Sequence, residues 1–497
     1  MQKEPAEGGG GTSSRKAIYA PLRRSLAVAA LVVLSLLGGN FAGAEELRIG
    51  VFNVDATPPI GSPVAYAPAL SITDPLYARG VVLLGVGRPI VLCAVDWIGI
   101  YNSGHDVFRE ALAKAVDTTV DRVAVHTLHQ HDGPRCDFGA EELLAPHGLA
   151  GKRSDVVFNR RVIAAAAQAA KDSLAKAQRV TQLGVGEAKV DKVASNRRLL
   201  GPDGRVAISR SSSYRIPQPI LGRLITEAHK QGYQLSAERV EEALAAPEGV
   251  IDPFLKMITF YDGDAPIVSL SYYATHPQSF FGEGDVTSEF VGLARAQHES
   301  DRDGATLVHF NGAAGNIAAG KYNDGTPKLR IELTKRMADG MQRAWRETKV
   351  SAIAAEKCEW RVAPVQVPVA AHLKADELRA TLADEKLEEG KRSAAAGKLS
   401  FVLRRDEARP IELSCLKLGD VYLVHMPGEL FVEYQLAAQK LRPDGTVCMA
   451  AYGDGGTGYI GTEIAYEQGG YETQPSSSNT APQVEKVLMD GIKELLK

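Results

Sequence analysis

"DRVAVHTLHQHDGPR", residues 121–135, decides how this chain is read. Its first half, "DRVAVHT", alternates and is rich in valine, the pattern of a short strand. Asp132-Gly133-Pro134 then breaks regular structure. His129 and His131 therefore fall at a strand end or in the loop just beyond it, and in extended chain residues two apart face the same side. Two imidazoles so placed can serve a metal, or one can hold the metal while the other moves protons. A pair of ordinary surface histidines fits the same short pattern.

The form recurs further along. "SLSYYATHP" ends an apolar run on His276 and then Pro277, and "VYLVHMPGE" ends another on His425, followed by Pro-Gly and Glu429. Each is an apolar strand, a metal-type side chain and a proline. Side chains on strand ends are rigidly held, as a metal site requires. His129, His276 and Glu429 make a two-histidine, one-carboxylate set, which suits catalytic zinc with an open position for water. These donors are expected to meet around one point.

The surrounding sequence predicts a mixed α/β domain. "GVVLLGVGRPIVLCAVDWIGI" reads as two strands, "APIVSLSYYATH" and "ATLVHFNG" as two more, and "IELSCLKLGDVYLVHMPGE" as a hairpin turning at Gly419-Asp420. Between them lie the helical patterns "DVFREALAKAV", with Asp106 placed to cap it, "FNRRVIAAAAQAAKDSLAKAQ", "FVGLARAQHE", "KLRIELTKRMADGMQRAWRE", "ADELRATLADEKLEEGKRSAA" and "APQVEKVLMDGIKELLK". "SRSSSYR" reads as an exposed loop. No repeat and no long Gly/Ser/Pro linker parts the chain, so one large domain of mixed sheets flanked by helices covers residues 45–497. The 497 residues suffice for a large core.

A formal charge of −3 without a long basic run argues against a nucleic-acid partner. Residues 1–44 read as a secretory signal peptide: a basic "RKAIYAPLRR", an apolar "LAVAALVVLSLLGG" and a small-residue "AGA" before Glu45. The protein is expected to be secreted or periplasmic. The five cysteines, Cys93, Cys136, Cys358, Cys415 and Cys448, form no CxxC pair and predict no disulfide. Cys136, after the histidine loop, is a candidate exposed thiol.

Taken in order, these motifs resemble the neutral ceramidase family and its bacterial relatives. "VDATPPIG" is similar to that family's opening, and "HQHDGP" to its His-Thr-His-Ser-Gly-Pro motif. "ASNRR", "YYATHP" and "MPGE" are similar to its Asn-Arg, second zinc-histidine and Pro-Gly-Glu segments. "GYIGTEIAYEQGGYE" resembles its Tyr-Val-Thr-Thr segment and the tyrosine that follows. The resemblance runs from about Val51 to Tyr471. It implies a zinc hydrolase with His129, His276, Glu429 and Tyr459 as ligands, His131 as the proton-transfer residue, and Arg197 and Tyr471 stabilising the oxyanion. The substrate it implies is a small molecule or lipid carrying an N-acyl amide, ceramide or another acylated compound. A lipid substrate brings peripheral membrane contact, although no Trp- and Lys-rich amphipathic helix marks a docking surface.

Two departures qualify this expectation. Where the family carries a serine in Gly-Asp-Val-Ser-Pro-Asn, this chain has "FNGAAGNI", with Gly315 at the serine position and no hydroxyl. Its backbone N–H groups are then candidates to meet the substrate carbonyl; a tight strand-to-loop turn explains the glycines equally well. The chain also ends soon after Tyr471, without the family's C-terminal immunoglobulin-like domain. A mechanism by hydroxide needs no serine, since zinc lowers the pKa of bound water to ~7. A zinc hydrolase of a different amide or ester, and a non-catalytic exported binding protein keeping the fold, remain the other readings. Asp285 and Glu289 are candidates to orient the ring of His276 from behind, or else a solvated turn and a helix start.

Overall fold

Strand alternation builds three sheets that share one apolar core. In Ile90–Val95 the side chains of Ile90, Leu92 and Ala94 enter the shared core, while Val91, Cys93 and Val95 enter a second core beneath helices. Val421 and Leu423 likewise face the shared core, and Tyr422 and Val424 face away. The period of two that marked these runs as strands thus also assigns each residue to a layer. The computed structural model describes residues 46–213, 237–280, 282, 284–302 and 305–497, and Glu46–Lys497 is one unit. The leader predicted over residues 1–44 lies outside the described residues.

The first sheet runs in the order Val123–Thr127, Ile90–Val95, Tyr77–Leu84, Arg48–Asp55, Gln178–Arg179. The second runs Leu307–Asn311, Ala265–Tyr273, Phe254–Asp262, Gln182–Lys189, Lys349–Ala352. The third runs Cys358–Val365, Ile411–Leu418, Val421–His425, Thr446–Ala450. Within each sheet, among the described residues, one pair of strands is parallel: Ile90–Val95 with Val123–Thr127, Ala265–Tyr273 with Leu307–Asn311, and Val421–His425 with Thr446–Ala450.

Parallel strands need a crossover, and each pair has a helix in it. These are Ser103–Ala115, Glu289–Ser300 and Val432–Leu441. The protein therefore holds three β-α-β units, one per sheet. Ligand sites in such units form outside the carboxyl ends of the strands.

The mixed α/β architecture expected from the sequence is the one observed, with four differences of detail. "ADELRATLADEKLEEGKRSAA" is two helices, Ala375–Ala383 and Glu389–Asp406, parted where the Asp384 side chain accepts from the Lys386 N–H at 3.0 Å and fixes a turn. Asp106 does not cap its helix, which begins three residues earlier at Ser103; it pairs with Arg404. Cys136 is buried, and all five cysteines are free. In "SRSSSYR" the described part is buried or half-buried, because the Arg210 guanidinium donates to the carbonyls of Asn196, Ala243, Ala246 and Pro247; Tyr214 and Arg215 lie outside the described residues. No described helix is long and apolar enough to cross a membrane.

Candidate metal centre

The strand Val123–Thr127 stops two residues before His129, which takes a left-handed backbone with φ 62°. The chain is thus not extended through "HQH", and the same-side rule for a strand does not apply. His129 and His131 still converge, their rings edge to face at 4.8 Å, because the kink at His129 turns the loop back on itself. The kink is fixed by the His129 N–H donating to the Trp97 carbonyl at 3.0 Å and by the Tyr452 ring stacked on the imidazole at 4.7 Å.

His276 follows the first strand of the second β-α-β unit and is fully buried. Glu429 follows the first strand of the third and pairs in a short parallel ladder with Tyr459. Glu429 Oε2 lies 3.1 Å from His129 Nε2 and 3.2 Å from His276 Nε2. Tyr459 Oη lies 3.4 Å from His276 Nε2. One nitrogen from each of His129, His131 and His276 falls within 4.8 Å of the other two.

The ring tautomers fit a cation. The Nδ1–H of His129 donates to the Ile98 carbonyl at 2.7 Å, and that of His276 to the carbonyls of Ala314 and Ile317 at 2.7 and 3.0 Å. A carbonyl accepts only, so in the neutral form of each ring Nε2 carries the lone pair, and both Nε2 atoms face Glu429. His129 Nε2 and His131 Nε2 are buried without a hydrogen-bond partner. Burial, reinforced by His129 and His276, holds the His131 pKa well below its usual value, so this ring is neutral. Burial opposes ionisation of Glu429, yet His129 and His276 hold its carboxyl well below the usual range. Imidazoles around a carboxylate are the donor set a divalent metal takes.

Arg197 and Tyr471 border the same cluster. Arg197 Nη1 donates to Tyr459 Oη at 3.2 Å, and its guanidinium lies 5.4 Å from the centre of the Tyr471 ring. Burial works against the Arg197 charge, but Tyr459 and Glu472 hold its pKa above the ordinary value. Tyr471 is 40 % exposed, whereas Tyr459, against whose ring it stands edge to face, is buried. The cluster therefore opens toward solvent on the Tyr471 side.

Gly315 is a correction. Its N–H is spent on the Leu430 carbonyl at 2.8 Å, so it is no donor to a substrate oxygen. A Cβ there would stand 2.8 Å from the Glu429 carbonyl carbon and nearer still to its oxygen. The residue is glycine because the Glu429 backbone passes against it. Glu289 is the expected helix start, the first residue of Glu289–Ser300, and not a partner for the His276 ring. It is buried and accepts from Ser279 N at 2.9 Å and Ser279 Oγ at 2.7 Å, fixing the loop after His276. Asp285 is exposed, in a two-residue ladder with Ser71–Ile72.

Three residues of the site escaped the sequence reading: Tyr66, whose hydroxyl bonds His131 Nδ1; Tyr452 on His129; and Glu472, buried between Arg197 and Arg198. Glu472, next to Tyr471, stood inside a stretch already under scrutiny. Tyr66 and Tyr452 carried no pattern to find.

Fold and cluster together define an α/β protein with a candidate metal centre at the carboxyl ends of its parallel strands. The fold is that of the neutral ceramidases. The chain matches a solved ceramidase complexed with C2 with a TM-score of 0.60 and 14% identity, covering 91% of this chain and 75% of that one. It matches the neutral ceramidase of Pseudomonas aeruginosa with a TM-score of 0.59 and 15% identity, over 91% and 74% of the two chains. No known family model matches the chain, and no curated protein matches it in sequence.

Proposed function

We propose that this protein is an exported, zinc-dependent hydrolase that cleaves an N-acyl amide, from ceramide or another acylated compound. The observation that carries the reading is the meeting of His129, His276 and Glu429, with both imidazole Nδ1–H groups tied to carbonyls. The ceramidase fold supports an amide as the substrate class. Export rests on the leader sequence.

In this reading His129, His276, Glu429 and Tyr459 hold the metal. Zinc, when bound, supplies a Lewis acid that polarises a carbonyl and brings the pKa of water near ~7. His131 Nε2, neutral and facing the cluster, takes the proton of the attacking water and passes it to the leaving nitrogen. Arg197 and Tyr471, on the open side, donate to the oxygen on which charge develops. The loop 312–315 supplies no side-chain nucleophile, so a single displacement by water is expected.

The test is metal analysis of the purified protein, then turnover on a panel of N-acyl amides and esters. Zinc near one equivalent with amide hydrolysis supports the reading. Ester turnover alone changes the substrate class, and zinc without turnover on any substrate favours a binding protein. A burst of released amine or an acyl adduct on a side chain would overturn the single displacement.

A further inference from the structure

We infer that Tyr66 is a positioning residue for His131, fixing the tautomer in which Nε2 bears the lone pair; this rests on the role proposed above for His131. Tyr66 Oη bonds His131 Nδ1, and the two rings lie 5.6 Å apart and tilted by 34°. The opposite ring nitrogen, Nε2, is buried and has no protein partner. An imidazole that must accept a proton at Nε2 carries its own proton on Nδ1, and that proton needs an acceptor. The phenol oxygen is that acceptor. The Gln278 side-chain amide stands beside the phenol.

The loop that carries Tyr66 is built to hold it there. Tyr66 occupies the turn Val64–Ala67, closed by the Ala67 carbonyl accepting from Val64 N at 3.0 Å. Two longer rungs, Gly61 N to Ala69 O and Ala69 N to Ser62 O, both 2.8 Å, fasten the turn to its own base. Val64 bridges Pro134, and Arg135 Nη1 donates to the Ala65 carbonyl at 2.8 Å. The turn is thus pinned to the residues that follow His131 in sequence, so hydroxyl and imidazole are registered to one another from both sides. His129 and His276 need no such residue, since backbone carbonyls already fix their rings. His131 alone of the three takes its Nδ1 partner from a side chain.

Tyr66→Phe keeps the ring and removes the hydroxyl. In protein labelled with 15N-histidine, long-range 1H–15N spectra report the His131 tautomer directly. The Nδ1–H form is expected in the wild type, with mixing of the two forms in Tyr66→Phe while the His129 and His276 signals stay unchanged. On a substrate that the wild type turns over, kcat should fall about tenfold with KM and zinc content unchanged, the scale for losing a partner that orients a functional histidine. In a His131→Ala background the same change should cost nothing further. An unaltered His131 tautomer in Tyr66→Phe would overturn the inference, as would a full loss in the His131→Ala background or a rise in KM alone. If the wild type hydrolyses nothing, the hydrolase reading fails while the tautomer spectra still decide for or against Tyr66.

Discussion

Gly315→Ala adds one methyl group where the structure leaves no room for it. The new Cβ would lie 2.8 Å from the Glu429 carbonyl carbon and 3.1 Å from the Leu430 oxygen, and ordinary contact begins near 3.4 Å. Both neighbours are backbone, so relief requires the segment 429–430 to retreat by about 1 Å. Overpacking of this kind costs about 1–3 kcal/mol. The retreat also strains the 2.8 Å bond from Gly315 N to Leu430 O and carries the Glu429 carboxylate away from rings that stand 3.1 and 3.2 Å from it. Because a metal ligand moves with the backbone, the cost falls on metal affinity as well as on folding: about 10- to 100-fold weaker zinc binding, from 1.4 kcal/mol per decade. Gly312→Ala is the internal control. Its new Cβ meets the Gln435 side chain at 2.7 Å and Ala274 at 3.0 Å, so it strains the packing without touching the segment 429–430. Competition with a chromophoric chelator measures both affinities, and thermal unfolding measures both stabilities. Zinc binding by Gly315→Ala equal to the wild type, or a larger loss in Gly312→Ala, would refute this account of the glycine.

Further expectations follow from the same geometry. His131→Ala should retain zinc by elemental analysis and lose turnover by ~100-fold or more, the usual scale of general acid–base catalysis; loss of the metal would make His131 a ligand. Glu472→Ala leaves two largely buried guanidinium groups, of Arg197 and Arg198, without their shared carboxylate, and should lower stability by about 3 kcal/mol in urea unfolding. Chelation should lower the melting temperature, the lost stabilisation being about 2.7 kcal/mol at a free zinc concentration 100 times Kd. Burial lowers the pKa of His126 and of His309 from 6.5 to about 3. Each ring is neutral in the folded chain and binds a proton in the unfolded chain below pH 6.5, so stability falls as pH drops from 6.5 toward 3, by about 1.4 kcal/mol per unit for each ring. His309→Gln should reduce that slope by one proton in unfolding titrations against pH.

Much of this was legible in the sequence because strands and the residues that end them leave local marks. The valine alternation before His126, the apolar runs before His276 and Glu429 and the hairpin at Gly419-Asp420 needed no knowledge of what they pack against. What stayed hidden depends on contacts distant in sequence. Gly315 reads the same whether its N–H faces a substrate or the Leu430 carbonyl, and only the path of residues 429–430 separates the two. Tyr66 lies 65 positions from His131 and Tyr452 more than 300 from His129, so nothing local announces either. The left-handed turn at His129 was missed because few residues other than glycine adopt it, even histidine, which is enriched there. The break in "ADELRATLADEKLEEGKRSAA" was missed because its charged residues suit a helix as well as they suit the Asp384 turn.

The three β-α-β units each contribute to one cluster of side chains, His129 from the first, His276 from the second, Glu429 and Tyr459 from the third. Such a centre cannot be assembled by any fragment. Cutting the polypeptide between any two of the units separates donors that only the shared core brings together, and a nascent chain has to extend beyond Tyr459 before the fourth donor exists. Coordination would accordingly act as a keystone, adding its binding energy to the mutual docking of three sheets and to none of them singly. Metal occupancy would then serve as a readout for damage anywhere in the domain, and a substitution deep in one sheet, far from the histidines, could be detected first as a faster loss of the ion.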